Sequence, residues 1–234
     1  IDKEVLTAYR DRTRNPIGTY TVIGETIAPD LWAPRREWVK DQPPINVKVA
    51  DLMPKTQLKF QFVPVRFTGY ATFEPELKLL IWEYPQDGYE YGIGVDTSDG
   101  IGQNNSAIQV LLKATHDRPD AQVAEFVSPY IKAFQLWPIV LAIATFYSVR
   151  DFKLQTRKQA RVAIECKGNG EACQHELQKR GWVNFHPWKR YDDKQPRADG
   201  DVRKIGIYTN AWFRPQMLDM VITCLDEEAI EIWS

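Results

Sequence analysis

The 234-residue sequence contains few cysteines and histidines, and they follow no spacing that is typical of a structural site. The three cysteines are an odd number without framework spacing, which argues against a disulfide scaffold and indicates a reducing compartment. A zinc site made from Cys166, Cys173, His175 and His186 would need a spacing that zinc modules do not use. The three histidines also lack the partners of a Ser-His-Asp triad, so nucleophilic catalysis is not expected.

The sequence also lacks a membrane span, a secretory signal and a P-loop. Its longest apolar run, from Leu136 to Tyr147, is too short to cross a bilayer and is interrupted by Pro138, so it predicts a core helix. The pattern G-x-x-x-x-G-K-[ST] is absent, so no P-loop ATPase motor is expected in these residues. Because the chain starts at Ile1 without a signal peptide, we expect it to be an excised piece of a longer, non-secreted protein.

Charge is nearly balanced, with a formal net charge of −1, so the sequence has no overall basic signature for nucleic-acid binding. Any binding of an anionic polymer must therefore depend on a local patch. The composition, 44% hydrophobic and 26% charged, is that of an ordinary globular protein. The length is sufficient for one good core with an appended subdomain.

The most informative stretch, YGIGVDTSDG at residues 91–100, predicts a buried strand that ends in an acid. Its large residues alternate onto one face, while two glycines share the other face with Asp96. The small neighbours leave room around that carboxylate. A Gly- and Asn-rich turn follows, and then a second strand is predicted over 106–112.

A second stretch, RVAIECKGNG at residues 161–170, repeats this pattern with Glu165 at the strand end. A helical pattern over 171–180 follows its Gly-rich turn. Two carboxylates at close range repel each other unless one takes up a proton or a cation lies between them. Because hard oxygen ligands suit Mg²⁺ or Mn²⁺, the sequence predicts one shared metal site formed by Asp96 and Glu165.

The chain topology between the two acids makes that prediction geometrically reasonable. A third strand over 121–127 completes an antiparallel meander, and Ser128-Pro129 predicts a helix start with Ser as the N-cap. Pro138 is expected to kink or divide this helix. The helix then crosses over, so that the Glu165 strand lies parallel to the Asp96 strand and next to it.

Residues 1–78 predict an antiparallel β extension in which prolines separate the strands. Pro64 should demote the last of these strands to an edge or bulged strand. The strands of this extension are predicted within residues 19–25, 45–52 and 58–69. Later elements are predicted as strands over 182–188, 204–209 and 230–232 and a helix from Asn210 to about Glu228.

Three segments, YGIGVDTSDGIGQNNSAIQV, ARVAIECKGNGEACQHELQKRGW and KIGIYTNAWFRPQMLDMVITCLDEEAIEIWS, together resemble the nuclease domain of the large terminase subunit of tailed bacteriophages. The resemblance extends over residues 79–234 and implies a ribonuclease-H-like α/β fold with a mixed sheet flanked by helices. It implies a metal-dependent endonuclease that cuts concatemeric viral DNA during packaging by two-metal-ion hydrolysis. Asp96 and Glu165 would be the first and second metal-binding acids, with Mg²⁺ or Mn²⁺ as the cofactor.

The resemblance also implies double-stranded DNA, the small terminase subunit and the portal protein as partners, in the cytoplasm of the infected host and away from any membrane. Residues 189–203 predict either a solvated loop or a flap that contacts DNA. The basic residues that such contacts would use are Lys167, Lys189, Arg190, Lys194 and Arg197.

The sequence departs from the family pattern at two positions. Many relatives carry a further acid near Asn104, whose amide oxygen can bind a metal ion but brings no charge. The family's third acid lies after the strand matched by IEIWS, so we expect it beyond Ser234 and expect weak nuclease activity from this chain alone. The late acids that are present, Asp219, Asp226, Glu227 and Glu228, fit the surface of a helix better.

Other functions remain open on the sequence. A transposase, an integrase or a junction resolvase would share the fold, and the first two would also need a late third acid. A non-catalytic docking module of the packaging machine is an alternative from a different class. Metal-dependent nicking of plasmid DNA distinguishes an enzyme from such a module.

Overall fold

The computed structural model describes residues 7, 12–27, 37–39, 41–66, 78–102, 104–166, 169–187, 205–209, 211 and 213–233. The strands in this part of the chain are β1 (Gly18–Gly24), β2 (Glu37–Trp38), β3 (Ile45–Lys48), β4 (Lys59–Arg66), β5 (Lys78–Ile81), β6 (Tyr91–Asp96), β7 (Ser106–Leu112), β8 (Asp120–Ser128), β9 (Val149–Asp151), β10 (Thr156–Lys158), β11 (Arg161–Ile164) and β12 (Ile230–Glu231). The helices are α1 (Ala133–Phe146), α2 (Gly170–Lys179) and α3 (Phe213–Asp226), together with a short 3-10 helix at Val49–Asp51.

A large mixed sheet organises the fold. Within the described ranges it contains ten strands in the order β11-β6-β7-β8-β5-β1-β4-β2, with β12 beside β8 and β3 beside β4. Strands β6, β7 and β8 form an antiparallel meander, and β11 lies parallel to β6 after the crossover through α1. This is the ribonuclease-H-like arrangement that the sequence predicts, and the fold class is confirmed.

The N-terminal strands continue the same sheet, because β1 pairs with both β5 and β4. The prediction that Pro64 makes β4 an edge or bulged strand is wrong. Strand β4 has partners on both sides, and its register with β1 is unbroken up to Pro64. On the other side β3 pairs with Lys59–Phe62 and β2 with Val65–Arg66, so Pro64 lies between them, where its missing N–H costs least. The boundary proposed at residue 78 stays a prediction.

Helix α1 covers one face of the sheet, and its residues from Leu136 to Thr145 are all buried. The predicted helix start at Ser128-Pro129 is wrong, since β8 continues through Ser128 and the helix begins at Ala133. Ser128 pairs with Ser106 on β7, so strand pairing overrides a local capping signal. Pro138 does not divide the helix.

Helix α2 confirms the helical pattern after Glu165. Its end is held against α1 by the guanidinium of Arg180, which lies 3.6 Å from the ring centroid of Trp137. Over residues 182–187, the described part of the predicted strand at 182–188, the chain forms isolated bridges from Phe185 to Val162 and from Pro187 to Ile205 instead of a continuous strand. Among the described helices, none combines the length and apolar character that crossing a bilayer requires.

Candidate metal centre

Strand register brings Asp96 and Glu165 together. Strand β11 runs parallel to β6 with Ile164 opposite Val95, so the next residue of each strand carries a carboxylate. The amide of Glu165 donates to the carbonyl of Val95 at 2.9 Å, which extends the pairing to the acid itself. The carboxyl group of Glu165 is near enough to that of Asp96 to raise its pKa. The predicted adjacency of the two strand ends is confirmed.

The face of β6 that carries Asp96 is open. Tyr91, Ile93 and Val95 are buried in the core, as their alternation predicts. On the opposite face, a Cβ atom added to Gly92 or Gly94 would meet no heavy atom within 4 Å. The two glycines therefore leave unobstructed space beside the carboxylate, which a bulky substrate needs in order to approach.

Desolvation and the neighbouring acid perturb Asp96. Partial burial and, after it, the neighbouring carboxyl group of Glu165 together raise the pKa of the Asp96 carboxyl group from 3.8 to about 6. The backbone N–H of Thr97 and the charge of Arg214 oppose this shift. Without a cation, Asp96 therefore keeps its proton over part of the mildly acidic range.

This raised pKa predicts a pH-dependent cost in stability. Between pH values of about 4 and 6, the folded chain binds more protons than the unfolded chain. The stability that the protonated Asp96 contributes is therefore fully present below this window and is lost as the pH rises through it. Asp96→Asn removes the effect. In the presence of a chelator, we compare the free energy of unfolding of Asp96→Asn with that of the wild type. After allowance for solvent screening, the difference in favour of the variant should increase by on the order of 1 kcal/mol between pH 4.5 and pH 7.

Thermal unfolding of both proteins at the two pH values measures this difference. The exposed turn residue Asp117 offers a matched control, since Asp117→Asn makes the same chemical change outside the site. A gain in stability for Asp96→Asn that does not vary with pH would contradict the raised pKa of Asp96.

A buried serine network fixes the turn that follows Asp96. The amide of Ser98 donates to Oγ of Ser106 at 2.9 Å, and the Ser106 hydroxyl donates to the carbonyl of Ile131 at 3.1 Å. The turn after Glu165 is joined to the same region, because the side-chain amide of Asn169 donates to Asp99 Oδ1 at 3.0 Å. These contacts hold both acid-bearing turns against each other.

Gly170, the first residue of α2, packs directly against the backbone of the second acid. A Cβ at this position would overlap the carbonyl oxygen of Glu165. Because that obstacle is backbone rather than a flexible side-chain end, any larger residue would have to displace the strand end or the helix. The glycine therefore lets α2 begin immediately beside Glu165.

Thr209 is a further residue of the site, and no sequence pattern indicates it. The segment 205–209 runs beside the end of β11. There the backbone N–H of Cys166 donates to the carbonyl of Ile207 at 2.7 Å, and the backbone N–H of Ile207 donates to the carbonyl of Ile164 at 2.7 Å. This places the Thr209 hydroxyl within hydrogen-bonding contact of the Glu165 carboxylate, to which it donates. A predicted strand over 204–209 was the available signal, but it gave no partner for the hydroxyl.

The two acids line an open cleft with a volume of about 990 Å³. Asn104 lines the same cleft, so the structure places it near the acids; its role as a ligand stays a prediction. The DNA-binding candidates Lys167, Lys189, Arg190, Lys194 and Arg197 lie outside the described residues. The late acids are exposed and do not line the cleft, namely Asp219, Asp226, Glu227 and Glu228.

The donor set suits a hard cation. In the part of the chain that the structure describes, no group of three or more His, Cys, Asp or Glu side chains gathers at one point. The cleft instead offers the adjacent carboxylates of Asp96 and Glu165, and Asp99 and Asn104 also belong to its lining. Oxygen donors of this kind fit Mg²⁺ or Mn²⁺ and leave several positions for water or substrate.

Two comparisons with known proteins found nothing: no protein-family model matches the chain, and no curated protein does. One solved structure similar to it is the large terminase nuclease from thermophilic phage G20c with bound magnesium, at 16% identity and a TM-score of 0.45. The alignment covers 66% of this chain and 63% of that chain. Another is the P22 large terminase nuclease domain, at 13% identity and a TM-score of 0.37 over 64% and 65% of the two chains. The alignments thus span less than two thirds of either nuclease structure.

Proposed function

We propose that this chain is a metal-dependent DNA endonuclease whose active site is built on Asp96 and Glu165. The observation that carries the proposal is the pair of carboxylates at adjacent strand ends, which line one open cleft. The neighbouring charge of Glu165 contributes to the raised pKa of Asp96, and a divalent cation bound between the two carboxylates would relieve their mutual repulsion. The cleft beside the pair has room for a nucleic-acid strand.

Each residue of the site has a distinct task in this proposal. Asp96 and Glu165 would hold one or two Mg²⁺ or Mn²⁺ ions, which when bound lower the pKa of a water ligand and stabilise charge on the leaving oxygen. Thr209 holds the Glu165 carboxylate through its hydroxyl and so limits the orientations available to it. Asn104 would add a neutral oxygen donor at the cleft wall.

The biological setting is also part of the proposal. The resemblance of the three sequence segments to terminase nuclease domains supports a role in cutting concatemeric viral DNA during packaging in the host cytoplasm. Double-stranded DNA would be the substrate, and the small terminase subunit and portal protein would be the partners.

Nicking of supercoiled plasmid tests the enzymatic part. The chain should convert the plasmid to open-circular and linear forms in millimolar Mn²⁺ or Mg²⁺, and chelation of the metal should abolish the reaction. We expect a low rate, because two carboxylates balance little of the charge of two divalent ions. Stable DNA binding with no cleavage in either metal would instead favour a docking module.

A further inference from the structure

The cleft beside the two acids has an uneven distribution of charge. Among the described residues that line it, Asp96, Asp99 and Glu165 are acidic, whereas Arg214 is the basic one. An approaching phosphate would therefore meet negative charge from these acids and positive charge from Arg214, which belongs to helix α3.

Helix α3 turns one face toward the cleft. Arg214, Met217 and Leu218 are spaced i, i+3 and i+4, which places them on one side of a helix, and all three line the cleft. Arg214 is exposed, so its guanidinium is accessible to a ligand. It is close enough for its charge to lower the pKa of Asp96, which places the two groups across the same space.

We propose that Arg214 is a substrate-binding residue that contacts a phosphate of the DNA strand lying over Asp96 and Glu165. This inference rests on the proposed endonuclease function. A guanidinium presents a planar set of donors that matches two phosphate oxygens, and it stays charged at every working pH. It would offset the repulsion between the DNA backbone and the acids before and during cation binding.

Arg214→Gln tests the contact, with binding of a labelled duplex oligonucleotide followed by fluorescence anisotropy in Ca²⁺ over a range of salt concentrations. The dissociation constant should rise roughly tenfold at low salt. The slope of log affinity against log salt should fall by about one, as for the loss of one phosphate contact. Arg214→Lys should keep the slope and recover part of the affinity. Arg150→Gln, the same change at an exposed residue that does not line the cleft, should alter neither.

Mn²⁺ titration of the DNA-free protein separates this role from a structural one. If Arg214 served to hold Asp96 in place, Arg214→Gln would weaken Mn²⁺ binding. Removal of a cation beside the site should instead leave Mn²⁺ affinity unchanged or raise it. Weaker Mn²⁺ binding, or unchanged DNA affinity and salt slope in Arg214→Gln, would overturn the proposed contact.

The same measurements distinguish this inference from the endonuclease itself. Arg214-dependent DNA binding without any plasmid nicking would overturn the proposed hydrolysis and leave the phosphate contact in place. If the wild-type chain nicks plasmid and the Arg214→Gln variant binds DNA like the wild type, the phosphate contact is overturned and the proposed hydrolysis stands. A wild-type chain that binds no DNA at low salt would overturn both.

Discussion

Asp96→Asn should reduce metal-dependent plasmid nicking by more than about 100-fold, because substitutions of residues that only support a metal ligand already cost roughly 10- to 100-fold. The amide keeps the shape of the side chain but removes the charge that a cation requires. Glu165→Gln should behave in the same way. Initial nicking rates in millimolar Mn²⁺, with circular dichroism to confirm the fold, measure the effect.

The control for this loss is Asp117→Asn, which changes an exposed acid in the turn before β8 and should cut at the wild-type rate. Thermal unfolding provides a second control, since the Asp96→Asn protein should be at least as stable as the wild type at neutral pH. Near-wild-type nicking by Asp96→Asn, with metal still required, would place the active site elsewhere.

Gly170→Ala should lower both stability and nicking, although the residue bears no functional group. The new methyl group would overlap the Glu165 carbonyl oxygen, and overpacking of this kind costs about 1–3 kcal/mol. In a chain of this size that corresponds to a melting temperature several degrees lower. Because relief of the overlap must move the backbone of Glu165, we expect Mn²⁺ affinity to fall as well.

Gly92→Ala is the matched comparison, as a Cβ at Gly92 meets no heavy atom within 4 Å. Alanine also costs less conformational entropy than glycine within a strand, so this variant should be neutral or slightly stabilised. Equal melting temperatures for the two variants would show that the packing of α2 against Glu165 tolerates a side chain.

The central part of the fold and site could be predicted because its signals are local and periodic. The period-two pattern of β6 assigns Asp96 to the open face, and the preferred handedness of a crossover then places Glu165 on the neighbouring strand. The two acids could be paired without knowledge of any contact between them.

Other features depend on contacts between distant segments, which a local pattern does not encode. Ser128 carries a strong helix-capping signal, yet its pairing with Ser106 keeps it in a strand. Pro64 predicts an edge strand, yet β4 is paired on both sides. On one of these sides, β3 pairs with the part of β4 before Pro64 and β2 with the part after it. In both cases the tertiary partner determines the outcome.

The same limit explains the missed cleft residues. Thr209 and Glu165 are 44 positions apart, and their hydrogen bond depends on a short segment that lies beside β11. Arg214 becomes relevant only because α3 and Asp96 line the same cleft. The basic residues of 189–203 and Lys167 stay predictions, as does any metal role for Asn104.

The shared sheet has a consequence for folding. Strand β5 lies between β8 and β1, and its residues Leu79 and Ile81 are fully buried. The N-terminal strands and the meander of β6, β7 and β8 therefore belong to one hydrogen-bonded sheet. The two parts should therefore melt in one cooperative transition rather than as independent units. Without β1, β5 would become an edge strand with unpaired backbone groups, a surface on which one copy of the chain can add to another.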